Sequence, residues 1–274
     1  MTSQAIVGLD GWVAFLSKAE IPVLKQTARD LGALHEDAEN ISARGVAEVI
    51  MRDPMMTAKL LRYLQGHKHR SQEHEVVQVE QALLMLGVEA FFSKLPPKPL
   101  AEEMLQGSTV ALINLLNVVR RAQRASYYAR DWAVYMRDMH YEEVNIAALL
   151  HDLAELLMWC FAPDDMLKIN TLQQQDKTLR SRIAQEQVLG FSLADLQLAL
   201  AKKWSLPKLL LTLMDDASAK QTRVRNVILA VNLSRHSAKG WGDAALPDDY
   251  KEIGELLKLK PEEVRDMVGA ETGK

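Results

Sequence analysis

His151, Asp152 and Glu155 are the side chains whose types and spacing come closest to metal chemistry. They lie in the stretch AALLHDLAELL, residues 147–157. On one helix, at roughly 100° per residue, the three would fall within about a third of the circumference. Imidazole and carboxylate on adjacent residues can bind one divalent ion, but a catalytic ion takes at least three protein ligands and an open position for water. The stretch therefore predicts a largely buried helix with one polar stripe, which either ligates metal or faces solvent.

The elements around this stretch are predicted to be helices. Apolar residues recur at helical spacing along almost the whole chain, and convincing period-two runs are absent. Proline followed by paired acids, at residues 163–165, 247–249 and 261–263, fits helix starts better than acid/base machinery, because carboxylates oppose the positive end of the helix dipole. The fold class is therefore all-α.

Two breaks divide the helices along the chain. Clustered prolines at residues 95–99 separate an N-terminal helical part, residues 1–95, from a second part, residues 100–240. Glycines near residue 240 precede a C-terminal helical extension, residues 241–274, which is predicted to contain two short helices and to pack on the main body.

Composition excludes several classes of protein. The chain has 274 residues, 48% hydrophobic and 25% charged, as in globular proteins. A formal net charge of −3 gives no overall drive toward nucleic acid or anionic membrane. Cys160 is the only cysteine, which excludes an intramolecular disulfide and cysteine-based zinc motifs. The chain shows no signal-peptide pattern and no cofactor-binding fingerprint, so we expect a cytoplasmic protein without a cofactor.

The stretch around His151-Asp152 resembles the signature of the HD superfamily of metal-dependent phosphohydrolases, and most closely its HDOD branch. Further segments resemble that branch and occur in the same order as in it. Together they cover about residues 20–240. The segments are 21–24, 46–61, 79–87, 190–191 and 204–207. The resemblance implies a multi-helix HD-like domain with an N-terminal helical subdomain. It also implies a bacterial signalling role without catalysis.

The departures from catalytic relatives concern the metal ligands. Catalytic HD proteins complete the site with a histidine on an earlier helix and an aspartate on a later one. Aligned on those helices, this chain has Arg121 at the histidine position and Arg235 at the aspartate position. Guanidinium groups stay protonated and have no lone pair for a metal. We therefore expect no catalytic, metal-binding or cofactor-binding residue, and at least one of the two arginines within reach of Asp152. The degenerate site consists of five residues: His151, Asp152, Arg121, Arg235 and Glu155.

The expected function is that of a stand-alone, non-enzymatic bacterial regulatory domain with an unidentified protein partner or ligand. Binding is expected at a groove between the N-terminal half and the degenerate HD half. One alternative is a residual phosphohydrolase that recruits Glu155 or His236 as further ligands. Another is nucleic-acid or nucleotide binding by the basic helix 118–130, which carries arginines and tyrosines: Arg120, Arg121, Arg124, Arg130, Tyr127 and Tyr128.

A histidine-rich stretch and a predicted helix pair are both interpreted as structural features. His67, His69 and His74 lie in a short polar stretch with Lys68 and Arg70, which fits a solvated loop better than a metal site. The helix pair predicted over 46–64 lacks the dense basic face of a DNA-reading helix. It is therefore interpreted as part of a helical bundle.

Overall fold

The computed structural model describes residues 6–37, 41–67 and 78–270. Within these ranges the chain forms α-helices and short 3-10 turns, and the β-bridge between Val23 and Leu100 lies outside any strand. The all-α prediction is therefore confirmed. The chain divides into two compact units, each built from two separate segments. The predicted division of the chain into residues 1–95, 100–240 and 241–274 stays a prediction.

The first unit comprises the described parts of Met1–Val118 together with Asp152–Leu206. Its helices are α1 (Gly8–Leu16), α2 (Lys25–Glu36), α3 (Ala43–Ile50), α4 (Pro54–Gly66), α5 (Val79–Leu86), α6 (Val88–Lys94), α7 (Ala101–Met104), the start of α8 (Thr109–Tyr135), α10 (Leu153–Phe161), α11 (Pro163–Gln175), α12 (Ser181–Leu189) and α13 (Leu193–Lys203). Helix α10 packs against α4, α11 and α13, and α3 packs against α2 and α5. Trp159 of α10 and Phe91 of α6 are fully buried.

The second unit comprises Val119–His151 and Pro207–Lys274, described as far as residue 270. It contains the rest of α8, α9 (Tyr141–Leu150), α14 (Lys208–Leu213), a 3-10 turn (Asp216–Ser218), α15 (Thr222–His236), a second 3-10 turn (Ser237–Lys239), α16 (Leu246–Leu257) and α17 (Pro261–Met267). Helix α15 packs against α9 and α16, and α16 packs against α17. The fully buried Trp132 of α8 belongs to this core.

Asp53 joins the start of α4 to the start of α2. Its Oδ1 accepts hydrogen bonds from the backbone N–H groups of Met55, at 2.9 Å, and Met56, at 3.1 Å. Its Oδ2 accepts from the N–H of Leu24 at 2.9 Å. Burial raises the pKa of Asp53, while these hydrogen bonds and one with Thr27 act against the rise. One buried carboxylate thus caps α4 and fixes the residue that precedes α2.

The predicted helix starts are confirmed, and the proline segment interrupts the helices. Helix α6 ends at Lys94 and α7 begins at Ala101, so the proline segment separates them as expected. Helices α11 and α17 begin at Pro163 and Pro261, and Pro247 lies in the first turn of α16. Acidic residues follow each of these prolines in the first turn, where the helix dipole favours them.

The hairpin of α16 and α17 depends on a close backbone approach. A Cβ atom at Gly254 would lie 2.6 Å from the carbonyl oxygen of Leu259. The N–H of Leu259 donates to the carbonyl of Gly254 at 2.9 Å, and Lys258 at the end of α16 has a left-handed φ of 60°. Only glycine at residue 254 permits this return of the chain.

Asp138 and Arg223 tie the turn after α8 to α15. Nε and Nη2 of Arg223 donate to the two carboxylate oxygens of Asp138 at 2.6 and 2.8 Å. Burial alone would raise the pKa of Asp138, but the hydrogen bonds from Arg223 and the N–H of His140 outweigh it and lower the pKa.

The most apolar segment of the chain is part of the core. Residues 141–161 are long and apolar enough to cross a membrane, yet 72% of their most apolar 18 residues are buried inside the protein. Such burial is typical of helices in the core of a protein. Cys160 lies in this segment at 5% exposure, and burial raises the pKa of its thiol, with the charges of Asp53 and Glu102 acting in the same direction.

Candidate functional site

His151 and Asp152 form a two-residue junction between α9 and α10. Helix α9 ends at Leu150 and α10 begins at Leu153. His151 keeps helical backbone angles, φ −58° and ψ −38°, but Asp152 departs from them, with φ −100° and ψ 22°. The predicted uninterrupted helix over 147–157 is therefore corrected to two helices. Apolar periodicity continues across the junction and conceals the break in the backbone.

His151 faces a carboxylate from a distant part of the sequence, that of Asp216. Its Nε2 lies 3.2 Å from Oδ1 of Asp216, and its side chain is only 15% exposed. Asp215 positions this carboxylate, because its own side chain accepts from the N–H of Ala217 at 3.0 Å and so starts the 3-10 turn. Helix α9, which carries His151 at its end, packs against α14 and α15, and the turn connects those two helices. The imidazole is thus oriented by an acid from a later element.

Arg121, Arg235 and Glu155 lie on three different helices. Arg121 is half-buried on α8, Arg235 is exposed on α15, and Glu155 is half-buried in the first turn of α10. The expected pairing of Asp152 with one of the arginines stays a prediction. Glu155 lies in the first turn of α10, where the positive end of the helix dipole stabilises a carboxylate.

The donors around His151 do not fit the metal centre of catalytic HD proteins. Across residues 6–37, 41–67 and 78–270, no group of three or more His, Cys, Asp or Glu side chains could hold a metal ion. His151 and Asp216 supply one imidazole nitrogen and one carboxylate, whereas a catalytic ion takes three or more protein ligands. We therefore assign no metal-dependent step to this site.

The other histidines considered as ligands have structural partners where they are described. Nδ1 of His236 lies 2.6 Å from Oδ2 of Asp249 and joins α15 to α16. Burial raises the pKa of Asp249, and the hydrogen bond with His236 acts against the rise. Nδ1 of His67 donates to the carbonyl of Tyr63 at 2.8 Å, and the two rings are stacked. His69 and His74 lie outside the described residues.

The basic helix over 118–130 uses part of its charge for packing. The guanidinium of Arg124 lies 5.5 Å from the ring centroid of Trp241 and donates to the carbonyl of Ser237. Tyr128 is buried and stacks on Trp132. These contacts within the second unit favour a structural role for this arginine and tyrosine, because cation–π and stacking contacts stabilise a core without a ligand.

A groove of about 1220 Å³ lies in the first unit, where α4 meets the segment between α6 and α7. The ammonium of Lys59 is buried beside it, with a side chain that is 4% exposed. Its Nζ donates to the carbonyl of Lys98 and lies 3.3 Å from Oε2 of Glu20. Burial lowers the pKa of Lys59, and the carboxylate of Glu20 opposes that change.

Arg62 is the second cation of α4 that lines the groove. Its Nη1 donates to the carbonyl of Ala19 at 2.7 Å, and its guanidinium lies 5.7 Å from the ring centroid of Trp204. Sequence reasoning missed both α4 cations. The available signal was the i, i+3 spacing of Lys59 and Arg62 on a predicted bundle helix, which alone indicates only a solvated face.

Several solved structures share this fold. The MmoQ response regulator of Methylococcus capsulatus matches with a TM-score of 0.65 and 15% identity, over 91% of this chain and 98% of its own. A virulence factor of Campylobacter jejuni matches with a TM-score of 0.66 and 18% identity, over 96% and 92%. An HDOD domain protein of Geobacter sulfurreducens matches with a TM-score of 0.51 and 18% identity, over 93% and 91%. At these identities the likeness is one of fold.

Sequence comparison identifies the family. No curated protein matches the chain in sequence. The family model of the HDOD domain matches residues 21–219, which is more than half of the chain and lies within the region where the motifs predicted the resemblance. The chain therefore belongs to the HDOD domain family.

Proposed function

We propose that this protein is a non-enzymatic bacterial regulatory domain that acts in the cytoplasm by binding a partner protein or ligand. Membership of the HDOD family supports a regulatory role. The Methylococcus capsulatus protein that shares the fold over 98% of its length is named a response regulator, which supports the same role by analogy of fold.

The donor set beside the His151-Asp152 junction carries the proposal. The imidazole of His151 faces Asp216, and in the described part of the chain no third His, Cys, Asp or Glu joins a group able to hold a metal. A hydrolytic metal centre needs three or more protein ligands and a position for activated water. The junction therefore supports descent from metal-dependent hydrolases with loss of their chemistry.

Two observations support the cytoplasmic location. Of the most apolar 18 residues within 141–161, 72% are buried, so their hydrophobic surface is used inside the protein. Cys160 is a free thiol, and a chain without an intramolecular disulfide does not depend on an oxidising compartment.

Metal analysis of the purified protein tests the proposal, together with hydrolysis of bis(p-nitrophenyl) phosphate in the presence of Mn²⁺. We expect bound metal far below stoichiometric amounts and no hydrolysis above that of buffer, for the wild type and for His151→Ala alike. The matched control is His35→Ala, which removes an exposed imidazole on α2.

Stoichiometric Mn, Fe, Ni or Zn would contradict the proposal if it were lost in His151→Ala and kept in His35→Ala. Hydrolysis that falls in parallel with the metal would establish the alternative, a residual phosphohydrolase. Asp216→Asn would then identify the later carboxylate as a ligand, because it keeps the shape of the side chain and removes its charge.

A further inference from the structure

The groove of the first unit is cationic on a protein that is acidic overall. The whole chain has a formal charge of −3. Among the charged residues that line the groove, four are cationic and two are acidic: Lys59, Arg62, Lys94 and Lys98, against Glu20 and Glu103. A local surface of opposite sign to the rest of the protein steers and orients anionic partners.

The cations are spread along two walls. On α4 and at the residue after it, the lining residues are spaced three or four positions apart and form one stripe: Lys59, Arg62, Tyr63, Gly66 and His67. At 1.5 Å per residue, this stripe is about 12 Å long. The other wall is the segment 94–100, which follows α6. A ligand that follows the stripe from Lys59 to His67 therefore has to span about 12 Å.

Between the cations the groove is apolar. Prolines and leucines of the second wall line it: Leu95, Pro96, Pro97, Pro99 and Leu100. Compact anions such as phosphate are usually held by several backbone N–H groups or a helix N-terminus around one point. Prolines have no N–H to offer, and the lining part of α4 is its middle and C-terminal end. The lining fits a polypeptide in which acidic and apolar side chains alternate.

Glu20 already contacts the buried cation as a ligand carboxylate would. Its Oε2 lies 3.3 Å from Nζ of Lys59, and its side chain is 70% exposed, against 4% for Lys59. An exposed carboxylate gains little from such a pair, so an incoming carboxylate can replace it. The hydrogen bond from Nζ to the carbonyl of Lys98 does not involve Glu20, so the exchange does not require it to break.

From these features we propose that the groove binds an acidic, extended peptide segment of a partner protein, with Glu20 as an internal competitor for Lys59. The inference rests on the proposed function, in which the domain acts by binding. Lys94 and Lys98 are exposed and supply further contacts for carboxylates along the second wall.

Fluorescence anisotropy tests this with the full chain and a labelled peptide of repeated Glu-Ser-Leu units. Lys94→Glu/Lys98→Glu reverses two exposed charges, and we expect the affinity to fall about tenfold or more. The control Lys239→Glu/Lys251→Glu makes the same change of charge at exposed lysines of the second unit and should stay within about twofold of the wild type. Glu20→Gln should tighten binding by about two- to fivefold, because the competitor is removed.

Three results would overturn the assignment. The first is equal loss of affinity in the two double variants, and the second is equal binding of a peptide with glutamine in place of every glutamate. The third is a single-stranded oligonucleotide that binds more tightly than the peptide and is released by Lys94→Glu/Lys98→Glu, which would make the groove a nucleic-acid site. If Glu20→Gln binds the peptide with unchanged or lower affinity, Glu20 does not compete with the peptide for Lys59.

Failure of this inference is distinguishable from failure of the proposed function. A protein that binds no acidic peptide but also holds no stoichiometric metal overturns only the groove assignment. Stoichiometric metal at His151 with hydrolysis overturns the proposed function, whatever the peptide result.

Discussion

Asp53→Ala removes a buried carboxylate that accepts three backbone N–H groups at once. Loss of the cap on α4 costs about 1 kcal/mol, within a range of about 0.5–2. The N–H of Leu24 is then left in a buried position without its acceptor, which costs about 1–3 kcal/mol more. Relief of the desolvation that raises the pKa of Asp53 offsets a part of this. We expect a net loss of about 1–3 kcal/mol in the free energy of unfolding.

Urea denaturation followed by tryptophan fluorescence measures this loss, because Trp12, Trp159 and Trp204 all lie in the unit that contains Asp53. Asp53→Asn is the matched control. Its amide oxygen keeps one acceptor while its NH₂ group faces a former donor, so we expect about half of the alanine effect. A loss below about 1 kcal/mol for Asp53→Ala would refute the reasoning, since the cap alone accounts for that much.

Three further substitutions test other contacts by thermal or urea unfolding. Gly254→Ala should destabilise the protein by about 1–3 kcal/mol, because the new Cβ meets the Leu259 carbonyl at 2.6 Å; a gain in stability would contradict this. Lys258→Gly should stabilise by up to about 1 kcal/mol, since φ is 60° there, and an unchanged midpoint would count against strain. Asp138→Asn should cost about 1–3 kcal/mol through its two hydrogen bonds with Arg223. Because the pKa of folded Asp138 is lowered from 3.8, its contribution is complete at neutral pH and lost as the pH falls through the folded pKa. Wild type and variant should therefore converge in acid, and a constant difference down to about pH 2 would contradict the ion pair.

Helix boundaries are largely predictable from this sequence because local chemistry sets them. Pro163 and Pro261 start helices with acids in the first turn, and residues 95–99 end one, as backbone sterics and dipole electrostatics require. The family was also predictable, since its motifs occur in order over most of the matched region.

The contacts of the candidate sites could not be predicted, because they join residues far apart in the chain. Asp216 is 65 positions from His151, and no local periodicity links the two. The break at Asp152 is hidden by apolar residues that continue on both sides of it. Lys59 would be expected at the surface, since lysine is rarely buried, and its contacts with Glu20 and the Lys98 carbonyl make its burial tolerable.

The buried thiol of Cys160 gives the protein an intrinsic reporter of its own opening. It is the only cysteine of the chain, it is 5% exposed, and burial raises its pKa, so the reactive thiolate is scarce and shielded in the folded state. Alkylating reagents therefore modify molecules that have opened around α10 and spare those that have not. The rate at which a pulse of such a reagent increases the mass of the protein, followed by mass spectrometry, therefore reports the population of molecules open around α10.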